Sequence, residues 1–200
     1  MLKKALLTLV LFSCSAVAAA PSRLTIAVQP FGKVRKTVVA EVRSTLEATY
    51  RCNVSVLPTV PLPRSAWYNP RKRYRAEKLT AWLDRNTPRT CDKVIGVARW
   101  DISSTKGKYL DWGIFGYAEL GGRSCVISTH RLRLDHPSAK LLHKRIRVIT
   151  LHEIGHTLGL RHCPHRGCVM EDCRGTIKTI DRSTGRYCRT CAAKIAEYLK

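Results

Sequence analysis

Residues 152–162 read His-Glu-Ile-Gly-His-Thr-Leu-Gly-Leu-Arg-His, and most of the chain can be interpreted outward from them. His152 and His156 are four residues apart. On an α-helix this puts both on one face, about 6 Å apart along the axis, where two imidazoles can chelate one Zn²⁺. Glu153 follows the first of them. Beside the metal but not needed as a ligand, it can take a proton from water activated there. Gly159 ends the helix, since glycine accepts the left-handed conformation that commonly follows a helix C-terminus. The chain then turns, and His162 can swing back as a third ligand. Three protein ligands leave the fourth tetrahedral position to water, which marks a catalytic site. A chance H-E-x-x-H is expected in about one such chain in a hundred, and adding Gly159 and His162 lowers this to a few in ~10⁵. A solvated histidine pair on a helix surface is therefore the weaker reading.

A second metal signal follows at once. Cys163 and Cys168 come directly after His162, and Cys188 and Cys191 form a C-x-x-C. Two such pairs separated by the 19 residues 169–187 fit a tetrahedral Cys₄ zinc site. Such a site is closed to water and structural. It would staple the segment after the helix and fix where His162 points. Two disulfides, or redox-active thiols from the C-x-x-C, are the alternatives.

The full run is H-E-I-G-H-T-L-G-L-R-H-C, four residues, Cys168-Val169-Met170, 17 residues, then Cys188-Arg189-Thr190-Cys191. It resembles the archaemetzincin (archaelysin) pattern HExxHxxGxxHC, x4, CxM, x17, CxxC at every specified position. The resemblance implies a metzincin-like zinc metallopeptidase with two zinc ions per chain, one catalytic and one structural. It implies that Met170 is the Met-turn residue beneath the catalytic metal; without it, Met170 reads as an ordinary core methionine. Residues 113–120 and 128–134 look like family strands. In metzincins an antiparallel edge strand holds an extended peptide by β-augmentation, and by resemblance that edge is Ile114–Glu119.

Two hundred residues suit a single domain with a real core, and 44% hydrophobic content is ordinary for a globular chain. Met1-Leu2-Lys3-Lys4 is followed by an uncharged run from Ala5 to Ala20. A basic start, an apolar stretch and small residues make a secretory signal, ending at Ala18 after Ala16-Val17-Ala18, or at Ala20. The run is shorter than the ~20 residues a spanning helix needs. Leu11-Phe12-Ser13-Cys14 loosely resembles a lipobox, so lipidation at Cys14 is a secondary alternative. A periplasmic or secreted protein is expected, with one metallopeptidase domain over 21–200, divided into an N-terminal part to about 159 and a C-terminal part from 160. No other segment could span a membrane.

The net charge is +22, or +20 once Lys3 and Lys4 are removed with the signal. Basic residues cluster at Arg64, Arg71-Lys72-Arg73 and Arg75, and again at Arg131, Arg133, Lys140, Lys144, Arg145 and Arg147. Such charge favours polyanions or acidic proteins as partners, or simply a solvated, soluble surface. Trp67, Tyr68 and Tyr74 interleave with one cluster, a faint nucleic-acid signal that export weighs against. The expected partner is a peptide or protein substrate, acidic if the charge is used, and the expected state a monomer. Four further mature cysteines are Cys52, Cys91, Cys125 and Cys173. A Cys52–Cys91 bridge is plausible because each precedes a predicted strand. Cys173 lies outside the family pattern.

Periodicity predicts strands at 23–28, 53–57 and 93–98 and helices at 34–50 and 75–85. Gly121-Gly122 marks a tight turn between 114–119 and 125–128. Ser138 or Asp135 caps the long helix to Leu158, and a last helix covers 192–199. The fold class is α+β: a metzincin-like mixed twisted sheet with packed helices, an active-site helix and a loop-rich, zinc-stapled C-terminal subdomain. Two rivals exist: a zinc-stabilised binding protein without turnover that uses its basic surface, and a nucleic-acid-binding zinc ribbon. His165 is expected in a loop, and His130, His136 and His143 at the surface.

Overall fold

A computed structural model describes residues 24–200; the expected secretory signal and Cys14 lie outside them. In chain order the elements are β1 (Thr25–Phe31), α1 (Lys36–Tyr50), β2 (Asn53–Val56), β3 (Trp67–Tyr68), β4 (Arg73–Arg75), α2 (Ala76–Asn86) and β5 (Lys93–Ala98). They continue with β6 (Ile102–Lys106), β7 (Tyr109–Ile114), β8 (Gly116–Ala118), β9 (Ser124–Ser128), α3 (Ala139–Thr157), α4 (Ile177–Arg182) and α5 (Arg189–Tyr198).

The main sheet runs β2-β1-β5-β9-β8. Its first four strands are parallel, and β8 pairs antiparallel with β9 at the edge. Buried parallel strands need cover on both faces, and their side chains alternate accordingly. Ile26, Val28, Ile95, Val97, Cys125 and Ile127 face a core shared with α1 and α3. Ala27, Val94 and Val126 face the opposite side, where Leu79 and Leu83 of α2 pack. α1 supplies Val38, Val42, Leu46 and Tyr50 at helical spacing. The segment after Gly159 joins this same core through Val169, Met170, Ile180, Cys191 and Ile195, so the two parts of the domain share one interior.

A second sheet, β3-β4-β6-β7, lies outside the predicted elements from β6 to Gly113. Ile102–Lys106 is too rich in Ser, Thr and Lys to show an apolar alternation, though Gly107 at φ +55° marks its turn. The expected strand from Ile114 to Glu119 is in fact two: Ile114 closes β7, and after Phe115 the chain enters β8 in the other sheet. Residues 128–134 are not a strand. Ser128 ends β9, and Arg131–Arg133 form a single 3₁₀ turn. Ser138, not Asp135, caps α3, its hydroxyl accepting from Leu141 N–H. The short helix α4 went unforeseen; at six residues it carries too little periodicity to read.

Cys52 and Cys91 are not bonded to each other. They lie in separate apolar clusters on opposite faces of the sheet, Cys52 under α1 with its thiol 3.6 Å from the Leu46 carbonyl and Cys91 beside Leu83 of α2. Much of the basic sequence is spent internally. Arg73 bridges Asp101 and Asp111, Arg131 grips Asp101, and Arg75 pairs with Glu77. Arg145 is 2% exposed and forks onto Asp181 while donating to the Leu132 and Leu134 carbonyls, tying α3 to α4. The interleaved aromatics also have intramolecular partners: Trp67 packs edge-on against Tyr74, and Arg75 covers the Tyr68 ring. No helix among the described residues is long and apolar enough to cross a membrane.

Candidate metal centres and active-site cleft

α3 delivers His152 and His156 from one face, and the turn at Gly159, with φ +85°, returns His162 to them. The three ring centroids are 4.6, 5.0 and 5.3 Å apart. One nitrogen from each ring falls within 4.8 Å of the others. His152 Nδ1 lies 2.8 Å from the Val169 carbonyl and His156 Nδ1 2.7 Å from that of Leu160. A carbonyl can only accept, so each Nδ1 carries the proton and each Nε2 lone pair is free for a metal. The two Nε2 atoms are 3.1 Å apart, against about 3.4 Å for neighbouring corners of a tetrahedral zinc–nitrogen site. Burial, helped by the charge of His156, pushes the His152 imidazole down to about 3. It is therefore in the neutral form that ligation requires. His162 is half-exposed, with Nδ1 3.9 Å from Asp172 Oδ2. Burial would raise Asp172, but the Arg174 N–H and the charges of His162 and Lys106 hold it low.

Glu153 points from α3 toward β8. A methyl group at Gly116 would meet its Cγ and Oε1 at 2.6 Å, so glycine is needed there for the carboxyl to lie against the strand. Burial pushes this carboxyl up to about 8. Glu153, the histidines, β8 and Trp112 of β7 line one cleft of about 200 Å³. β8 is the last strand of its sheet, so its outer edge borders this cleft.

Met170 was expected beneath the metal; the Tyr187, Lys93 and Gly155 contacts that support the site were not singled out in the sequence. Met170 is fully buried against α3. A Cβ on Gly155 would lie 2.5 Å from its sulfur, and the Met170 carbonyl accepts from Cys163 N–H. The Tyr187 hydroxyl donates to the Leu151 carbonyl one residue before His152 and also meets the Tyr50 hydroxyl. Lys93 donates to the carbonyls of Thr157 and Gly122, so one ammonium ties the end of α3 to the β8–β9 turn. The only sequence signal for Lys93 was a charge opening an otherwise apolar strand.

The Sγ atoms of Cys163, Cys168, Cys188 and Cys191 also lie within 4.8 Å of one another. Cys163 and Cys188 are 3.8 Å apart, which is the edge of a tetrahedron with 2.3 Å zinc–sulfur arms, about 3.8 Å. The Cys191 N–H at the start of α5 holds the Cys188 thiol down at about 7. Burial and the neighbouring Cys168 push Cys191 up. Four sulfurs this close cannot all ionise without a cation among them, and a dication would relieve that crowding. His165 lies in the loop between Cys163 and Cys168, and His130, His136 and His143 are exposed. Cys173 lines the cleft wall.

Two helix-borne histidines and a third returned by a glycine turn, with an adjacent carboxyl and opening on the unpaired edge of an antiparallel strand, define a metallopeptidase-type site. The comparisons with known proteins agree. The pattern described as Peptidase family M54 matches residues 28–197. The archaemetzincin of Halobacterium salinarum is 32% identical over 169 residues, covering 81% of this chain and 94% of its own. Among solved structures, the Archaeoglobus fulgidus archaemetzincin complexed with malonate superposes with TM-score 0.71 at 31% identity, covering 86% of this chain and 99% of its own. That of Methanopyrus kandleri gives 0.76 at 30% identity, covering 89% and 96%. The chain belongs to peptidase family M54, the archaemetzincins, and is a zinc metallopeptidase of α+β fold.

Proposed function

We propose that this chain hydrolyses peptide bonds with one zinc ion held by His152, His156 and His162, and that Cys163, Cys168, Cys188 and Cys191 hold a second, structural zinc. Bound at the histidines, zinc supplies Lewis acidity: it lowers the pKa of a water ligand to about 7 and polarises a carbonyl. The protein does the rest. The outer edge of β8 offers backbone groups to an extended peptide, which adds as an antiparallel strand. Glu153 takes a proton from the attacking water and returns it to the leaving amine. Val169 and Leu160 keep the two helical imidazoles aimed through their Nδ1 protons. The observation that carries this reading is the Glu153 carboxyl lying against Gly116 of the edge strand, beside the convergent histidines.

Glu153→Ala is expected to keep its metal and lose chelator-sensitive cleavage of a broad peptide library. Wild-type cleavage by that variant would remove Glu153 from the mechanism. Absence of any chelator-sensitive cleavage by the native protein would favour the zinc-stabilised binding protein instead. Metal analysis should give about two zinc per chain, one lost with His152→Ala and the other with Cys188→Ser. Export is supported by the basic start and apolar run of residues 1–20. A mature protein beginning at Ala19 would bear it out, and one retaining Lys3 would refute it.

A further inference from the structure

Away from the cleft, a pocket of about 260 Å³ is lined by Arg99, Trp100, His130 and Arg133. Its placement follows from the sheet. β1, β5 and β9 are adjacent and parallel, so their carboxyl ends share one edge. Arg35 lies in the segment leaving β1, Arg99 and Trp100 directly follow β5, and His130 and Arg133 follow β9. α1 and α2 cover opposite faces of this sheet, so the winding reverses between β1 and β5. Ligands of open α/β sheets bind outside the strand carboxyl ends at such a reversal.

The chemistry of the pocket is one-sided. Its lining arginines Arg99 and Arg133, and Arg35 outside the lining, are exposed, and no ion pair among the described residues engages any of them. The arginines of the neighbouring network, Arg73 and Arg131, are by contrast held by Asp101 and Asp111. Partial burial and the charges of Arg35 and Arg99 lower the pKa of Arg133, which reports like charges crowded without a counter-ion. Trp100 is half-exposed at the wall. Tyr74 and Trp67 pack against its ring, and its carbonyl accepts from the Ser128 hydroxyl.

We infer that this pocket binds a phosphate-type dianion, carried by a small phosphate ester or by a lipid headgroup. Guanidinium forks match the oxygens of a phosphate in pairs, and the fixed Trp100 ring offers an apolar wall for the group the phosphate is attached to. The site is separate from the zinc chemistry and does not depend on it.

The test is titration of the zinc-loaded full chain with phenyl phosphate, followed by calorimetry and tryptophan fluorescence. One saturable equivalent is expected. Arg99→Gln/Arg133→Gln should weaken it at least tenfold, and the charge-matched surface pair Arg85→Gln/Arg89→Gln less than twofold. Equal weakening by both pairs would show a diffuse positive surface and overturn the site. Binding that survives Arg99→Gln/Arg133→Gln would place the phosphate elsewhere, in the zinc cleft above all, and also overturn it. Vesicles containing phosphatidic acid identify the source: sedimentation that depends on Arg99 and Arg133 and is competed by phenyl phosphate assigns a headgroup, and its absence alongside tight phenyl phosphate binding assigns a soluble ester.

Discussion

The histidine and cysteine clusters lie within 40 residues of each other in the sequence and are built for opposite ends. The histidines offer three donors, one of them half-exposed, beside a cleft and a buried carboxyl. The cysteines offer four donors, two of them buried, and backbone N–H groups donate to their sulfurs: Cys188 N–H to Cys168 Sγ and His165 N–H to Cys163 Sγ. With a zinc in each, the first site would leave room for a substrate and the second would use every corner on the protein. Breaking the histidines should therefore cost activity without stability, whereas breaking the cysteines should cost both.

The largest contrast comes from removing one ligand from each. His156→Ala should lower kcat/KM by at least about 10³-fold, with the Cys-bound zinc retained and the far-UV spectrum unchanged. Cys191→Ser should release the other zinc and cost on the order of 4 kcal/mol in denaturant unfolding; loss of activity would follow because residues 160–200 no longer hold His162. If Cys191→Ser left stability unchanged, the cluster would not be a structural metal site.

Next in size, Gly116→Ala sharpens the role of the cleft wall. Its methyl would meet Glu153 at 2.6 Å and displace the carboxyl. A misplacement near 1 Å costs about 10²-fold in rate, so kcat should fall by that order with both metals still bound. Wild-type turnover in this variant would mean that Glu153 does not act from its position against β8.

The smallest expected effect is on the pH dependence of the metal-depleted protein. His152 takes its proton only near 3 when folded but near 6.5 when unfolded. The unfolded chain binds more protons between those values, so this contribution is complete above 6.5 and is lost as pH falls toward 3. Glu153 runs the other way. Its folded carboxyl keeps a proton up to about 8, against an ordinary 4.5, so stability is lost as pH rises through that window. The two slopes cancel between 4.5 and 6.5, giving a plateau that falls off on both sides. Thermal melts of Glu153→Gln without metal should lose the alkaline decline and keep the acid one. Identical profiles would show that this carboxyl is not buried in the neutral form.

The local features of both sites were legible because covalent spacing alone sets them. Four residues of helix put His152 beside His156, one glycine turns His162 back, and two short Cys spacings close a tetrad. The strands of the parallel core were also legible, since a face buried on each side leaves a nearly continuous apolar run at 93–98. Long-range pairing was not. Nothing in residues 102–113 announced that Arg131 would cross over Gly113, where a Cβ would meet its guanidinium at 2.0 Å, or that Asp101 would bind two arginines. The segment from Ile114 to Ala118 reads as one strand, because only the packing of β7 and β8 into different sheets splits it at Phe115.

The sequence by itself determined the donor set, the helix that carries most of it and the turn that completes it, since these depend on backbone periodicity over a dozen residues. Only the tertiary structure decided that Glu153 faces the edge strand through Gly116, that Lys93 holds the end of α3, and that unpaired arginines gather at the carboxyl ends of three strands. Those juxtapositions join residues tens of positions apart. They are fixed by how the sheet buries its two faces, and no local pattern encodes that.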